Sequence, residues 1–162
     1  MSAIEWPSAS LDPIRRARVI GAAIPSAAWA EAVIDAPYAE TWAWLTEFEH
    51  SVPRFDRQVQ RIRVHERSRD DDGVEQVRLT ATSFGVRQPF AVRVEDGFCL
   101  MRGRGRLYLV VMAAVPLDGG SRTRFFHLEA VPLPGFGVLR SVLRHDVDAD
   151  LRQLRHIAES GF

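Results

Sequence analysis

The sequence predicts an α+β fold, and three observations carry that expectation. Between residues 59 and 131, short segments of alternating apolar and polar residues follow one another, each closed by a glycine- or aspartate-rich turn. That is the pattern of an antiparallel sheet. An aromatic amphipathic segment begins at Ala36-Pro37, directly after the first strand. Near the C-terminus Leu139, Val142, Leu143, Val147, Leu151, Leu154 and Ala158 recur at helical spacing and make one continuous apolar face. Antiparallel strands followed by a helix that must cover one of their faces make a layer of helix on sheet.

The chain of 162 residues is the size of one domain, long enough to bury roughly two-thirds of its unfolded surface. A formal net charge of zero leaves no global basic field to draw in nucleic acid or anionic membrane. All 21 basic residues are arginine, which reads as codon bias before function. The single cysteine, Cys99, excludes an internal disulfide and a cysteine-based zinc cluster, so a reducing, cytoplasmic setting is expected. Arg15-Arg16 followed by an apolar run ending at Ala30 has the outline of a signal peptide. The run is short, carries Pro25 and would be cut inside the first strand, so that reading is set aside. No segment approaches the ~18 apolar residues of a membrane span.

In chain order, residues 1–27 read as a Pro/Ala/Ser-rich extension preceding the domain at 28–162. Asp12-Pro13 would cap and start a short helix over Ile14 to Ile20, ended by Gly21, with Ile4 and Trp6 as possible anchors. A partly ordered tail is the expected state, because so short a helix cannot stand alone. From Ala30 to Asp35, Ala32 and Ile34 share one strand face and Glu31 and Val33 the other. Pro37 then opens a helix in which Tyr38, Trp42 and Leu45 share a buried stripe, while Trp44 points elsewhere. A further turn is expected at Ser51-Val52-Pro53. Strands follow at 59–66, 74–83, 86–95, 98–103, 106–116 and 122–131, with turns at 69–73, Gly85, Asp96-Gly97 and Asp118-Gly119-Gly120. Pro132 to Gly137 (PLPGFG) breaks the pattern before a last helix over Val138 to Ser160. Arg144, Asp148 and Arg152 sit four apart on its solvated side.

Three of these features together resemble the START-like (SRPBCC, polyketide cyclase/dehydrase-like) superfamily. They are the strand–Ala36-Pro37–helix opening EAVIDAPYAETWAWLTEFEHSVPRF, the glycine pair and arginine at Gly119-Gly120-Ser121-Arg122-Thr123, and the long C-terminal helix. The match covers about 130 residues, and it departs from many relatives at Phe55, where a tryptophan is common. The resemblance implies a helix-grip fold: a curved antiparallel sheet of about seven strands wrapped around the C-terminal helix, with an apolar pocket between. It implies no single activity, since the superfamily includes lipid carriers, hormone receptors, cyclases and co-chaperones.

The residues that could do chemistry are few. The sequence has no nucleophile elbow, Walker loop, zinc-protease motif or dinucleotide fingerprint. No three ligands stand at metal-site spacing, so no metal and no cofactor are expected. His127 and Glu129, two apart in the last strand, share a face with Phe125. Facing inward, they would set an imidazole beside a carboxylate in an apolar cavity and could relay a proton. The competing inward face is Arg124, Phe126, Leu128 and Ala130. A solvent-facing His127-Glu129 pair is favoured, because antiparallel sheets often wet one face. Arg102, Arg104 and Arg106 fall on one strand face, either solvated or as a carboxylate clamp at a pocket mouth. Tyr108 lies in a strand apolar on both faces, as core or as a donor to a ligand carbonyl. Asp146 and Asp150, near the apolar edge of the last helix, could face the cavity or pair with strand arginines such as Arg93, and pairing is favoured because a buried unpaired carboxylate is costly.

Three functions follow. The favoured one is binding of a hydrophobic, lipid-like or polyketide-like molecule, enclosed by Tyr38, Trp42, Phe55, Phe84, Phe90, Tyr108, Met112, Leu143 and Val147. The second is a cyclase- or aromatase-like enzyme with His127 and Glu129 as acid and base. The third is an accessory protein, or homodimer, acting through Trp44 and the N-terminal arm. Polar groups converging on the pocket would favour the enzyme, and a purely apolar cavity the carrier.

Overall fold

A computed structural model describes residues 10–162, so the expected anchors Ile4 and Trp6 lie outside the described residues. The chain runs through helix α1 (Pro13–Ala22), strand β1 (Ala28–Ile34) and helices α2 (Tyr38–Thr46) and α3 (Phe48–Phe55). Six strands follow: β2 (Val59–Arg69), β3 (Glu75–Ser83), β4 (Val86–Glu95), β5 (Phe98–Gly103), β6 (Leu109–Leu117) and β7 (Arg122–Ala130). Helix α4 (Arg140–Ser160) ends the fold. The seven strands form one antiparallel sheet in the order β1-β7-β6-β5-β4-β3-β2, so the first strand closes against the last. This is the expected α+β helix-grip architecture. Register shifts in β2 at Val59/Arg61 and Val64/Glu66 bend that edge, as extra residues in one strand of a pair do.

Two apolar cores lie on opposite faces of the sheet. The concave one gathers Leu45, Phe48, Phe55, Leu79, Val92, Met112 and Phe125 with Leu151, Leu154 and Ile157 of α4. The convex one is built from Phe98, Val111, Ala113, Phe126 and Leu128 beneath Ile14 and Ala17 of α1. The N-terminal helix is therefore packed, not a partly ordered tail. Asp12 caps it, accepting from the amides of Ile14 and Arg15 at 3.0 Å each. A side chain at Gly21 would meet Leu128 Cδ1 at 2.8 Å and the Trp29 ring at 2.9 Å, so glycine lets the helix come down onto the sheet. Arg16 completes the docking, with its guanidinium 3.9 Å from the Phe98 ring centre and bonded to Glu95.

Other boundaries moved for local reasons. The turn expected at Ser51-Val52-Pro53 lies inside α3, where Pro53 sits in the last turn and Ser51 Oγ donates to the Leu45 carbonyl at 3.0 Å. Strand β5 stops at Gly103, and Gly105 (φ 67°) turns residues 104–106 into a 3-10 turn. The expected strand face of Arg102, Arg104 and Arg106 is thereby broken, and Arg102 and Arg104 are exposed. Val142, expected on the buried face of α4, is exposed; Leu143, Val147, Leu151, Leu154 and Ile157 are buried. Arg144 pairs with Asp148 on the solvated side as expected. Trp44 stacks on Phe162 at 4.8 Å, so the aromatic offered as a partner surface is engaged within the chain. Among the described residues no helix is long and apolar enough to cross a membrane.

Candidate functional site

Strand β7 is buried on both faces from Phe125 to Ala130. Phe126, Leu128 and Ala130 face the core under α1, and Phe125, His127 and Glu129 face the concave side. The solvent-facing reading of His127 and Glu129 is therefore corrected: they are 1% and 2% exposed. The rule that one sheet face stays wet fails here because α1 covers the convex face.

Five further groups surround this pair. His127 Nε2 lies 3.3 Å from Glu129 Oε1 and 3.4 Å from Asp150 Oδ2 on α4. The Tyr108 hydroxyl donates to Glu129 Oε2 at 2.5 Å. Asp56 closes the end of α3, accepting from the Gln58 amide at 2.9 Å, and lies close enough to feel the charges of Glu129 and Asp150. Phe55 stands edge-on to the imidazole at 5.9 Å and Phe125 is stacked with it at 6.3 Å, so the ring is held between aromatics. Asp150 is not paired with Arg93, which bonds Glu95 instead. Its Oδ2 approaches His127 off the hydrogen-bond line, and neither it nor His127 Nδ1 has a hydrogen-bond partner among the described residues.

Three carboxyl groups and one imidazole in so small a volume cannot all titrate ordinarily. Burial opposes charge on His127, but the close approach of Asp150 and Glu129, the latter hydrogen-bonded to it, outweighs burial and raises the imidazole above its usual range. Burial, then repulsion from Glu129 and Asp150, pushes Asp56 up to about 7. Burial likewise raises Asp150, against the opposing pull of His127. Tyr108 is raised by burial and by the charge of Glu129, so its phenol stays protonated. Cys99 is fully buried and its thiol is raised by burial, which leaves it an inert core residue.

A cavity of about 310 Å³ adjoins the cluster. Its wall is mostly apolar (Val52, Ile62, Leu79, Phe90, Met101, Val110), with Gln58, Ser83 and Gln88 among them. Asp56 and Tyr108 are its contacts with the polar cluster, and the exposed Phe84 and Val86 mark its mouth. Of the expected enclosing residues, Phe84, Phe90 and Tyr108 line it. The other six do not. Tyr38 donates to Asp96 at 2.6 Å; Trp42, Phe55 and Met112 are packed into the core; Leu143 and Val147 are buried where α4 packs on β1 and β7. The helix grips one half of the sheet, and the cavity lies under the other half.

Sequence reasoning missed Asp56, and it gave Asp150 an arginine partner where the structure sets it against His127. Asp150 did carry a signal: Leu143, Val147, Asp150, Leu154 and Ile157 repeat at four-three spacing, so a carboxylate occupies a core position of the helix. Asp56 carried none. The fold also supplies what spacing along the chain did not, a group of three metal-ligand types. One ligand atom each from His127, Glu129 and Asp150 lies within 4.8 Å of the others. A cation there and a proton on Nε2 exclude each other, since both need the same lone pair.

No protein-family model matches the chain, and no curated protein matches it in sequence. Solved structures do match in fold. A protein from Thermobifida fusca is similar over 83% of this chain and 94% of its own, at 15% identity and a TM-score of 0.61. The Zhui aromatase/cyclase from a Streptomyces species matches over 82% and 93%, at 17% identity and a TM-score of 0.57. A protein from Thermus thermophilus matches over 83% and 97%, at 16% identity and a TM-score of 0.56. At these identities the likeness shows the fold alone and leaves the activity to the site.

Proposed function

We propose that the protein binds an apolar, ketone-bearing small molecule in the cavity and catalyses proton transfer on it, in the manner of a cyclase. The observation that carries this reading is the buried chain Tyr108–Glu129–His127–Asp150, which reaches the cavity wall beside Asp56. A carrier has no need of two buried carboxyls, with a third half-buried beside them, each of which costs stability. The fold likeness to an aromatase/cyclase supports the same reading.

Because Tyr108 gives its proton to Glu129, its oxygen is left as an acceptor toward the cavity. Enolisation then balances as follows. The ligand's α C–H breaks and its proton goes to the Tyr108 oxygen as the phenolic proton passes to Glu129. The electron pair forms the C=C bond, and the carbonyl oxygen takes a proton from Asp56, which is about half protonated near neutrality. His127, held between Glu129 and Asp150, steadies the charge that Glu129 loses and regains. The enol so formed is the nucleophile for an internal aldol closure when a second carbonyl lies within reach.

Deuterium incorporation at the α-carbon of 2-tetralone, an apolar bicyclic ketone, tests the proposal directly. Wild-type protein is expected to accelerate exchange, and Asp56→Asn and Tyr108→Phe to abolish the acceleration. Saturable binding of the ketone with no acceleration would overturn catalysis and leave the carrier reading in its place.

A further inference from the structure

Resting on the reading of this cavity as the binding site, we infer that it selects ligands by charge: it admits apolar molecules whose polar end is an amine or an uncharged hydroxyl or carbonyl group, and it refuses carboxylic acids.

The argument is electrostatic. Among the described residues that line the cavity none is cationic: the polar members are Asp56, Tyr108, Gln58, Ser83 and Gln88. Behind Tyr108 lie Glu129 and Asp150, 2% and 3% exposed. Among the described side chains that meet these two carboxyls the positive one is His127, 1% exposed, with Nε2 turned to both and its ring beside Phe55 and Phe125. It is neutralised where it stands and presents nothing to a ligand. Arg102 and Arg104, which the sequence offered as a clamp for an acid, line a separate depression at the outer end of β5. An acid entering the cavity would lose its hydration and meet Asp56 with no counter-ion. It would have to bind as the neutral acid, so its affinity would rise about tenfold for each unit the pH is lowered above its own pKa. A protonated amine meets the opposite situation, since Asp56 supplies the carboxylate it needs.

Four probes on one scaffold isolate the charge: 2-naphthol, 2-acetylnaphthalene, 2-naphthylmethylamine and 2-naphthoic acid, titrated by fluorescence near neutral pH. The first three are expected to bind, and the acid about 100-fold or more weaker than the naphthol. Asp56→Asn is expected to weaken the amine and strengthen the acid. Those opposite signs would not arise from a change of shape, and asparagine retains the acceptor for the Gln58 amide. Naphthoate binding as tightly as naphthol, with no pH dependence, would overturn the charge selection. Binding of none of the four, or binding that survives Val110→Trp in the cavity wall, would overturn the assignment of the cavity itself.

Discussion

Replacing Asp150 by leucine separates what this residue does for function from what it does for stability. Asp150 is 3% exposed and occupies a core position of α4, between Val147 and Leu154. Leucine there buries a side chain worth about 2 kcal/mol. The substitution also removes the carboxylate's attraction for the Arg57 amide, worth at most about 1 kcal/mol. Loss of the attraction to His127 is offset by removing a carboxylate that had to be taken out of water, and one whose Oδ2 has no hydrogen-bond partner among the described residues. His127 keeps Glu129 at 3.3 Å. The balance is a stabilisation of about 1 kcal/mol, a rise in Tm of roughly 2 to 4 °C for a chain of this size. Exchange of 2-tetralone is expected to fall at the same time, because the relay loses one end. Thermal unfolding of Asp150→Leu beside wild type, with the exchange assay on the same samples, measures both. A fall in Tm of more than about 4 °C would refute the reasoning by showing Asp150 to be a structural anchor.

Glu129→Leu is expected to lower the Tm instead, because it orphans the Tyr108 hydroxyl as well as His127; calorimetry of the two leucine variants side by side checks the contrast. Asp56 has a folded-state pKa raised to about 7, so its stabilising contribution is complete below the ordinary carboxylate range and is lost as pH rises through 7. The Tm of wild type is therefore expected to fall relative to Asp56→Asn as pH is raised from about 4 to about 7, and equal pH profiles would contradict it. Gly21→Val forces a side chain against Leu128 and Trp29, and is expected to cost about 1 to 3 kcal/mol and to shift the Trp29 near-ultraviolet signal as α1 lifts. Phe84, 78% exposed at the cavity mouth, is expected on replacement by alanine to leave stability within about 0.5 kcal/mol while weakening naphthol binding, read by denaturation and fluorescence titration.

The elements were legible because their signals are local. Period-two alternation, turn glycines and the apolar stripe of α4 each depend on a few neighbouring residues, and they placed the seven strands and the last helix within a few positions. The orientation of His127 was not local. It depends on whether something covers the convex face of β7, and the cover is α1, more than a hundred residues away in sequence. Once Phe126 and Leu128 are seen beneath Ile14 and Ala17, the other face of the strand has only the concave side left to occupy. The cavity was misjudged for a related reason. Aromatics on a buried stripe look like a pocket wall in sequence, yet Phe55 and Trp42 fill the core beside α4, and the open volume lies under β2 to β5, where the helix does not reach. Asp56 follows a helix end with no periodic context, so only the folded chain reveals its neighbours.

The most direct test of the central claim, that the buried carboxyl cluster performs proton transfer on a ligand in the cavity, is the pH profile of 2-tetralone exchange from about pH 5 to about pH 9. The account predicts a rate that changes with an inflection near 7, where Asp56 titrates, and that loses both the inflection and the acceleration in Asp56→Asn. A profile that is flat, or one that is unchanged by the substitution, would contradict it.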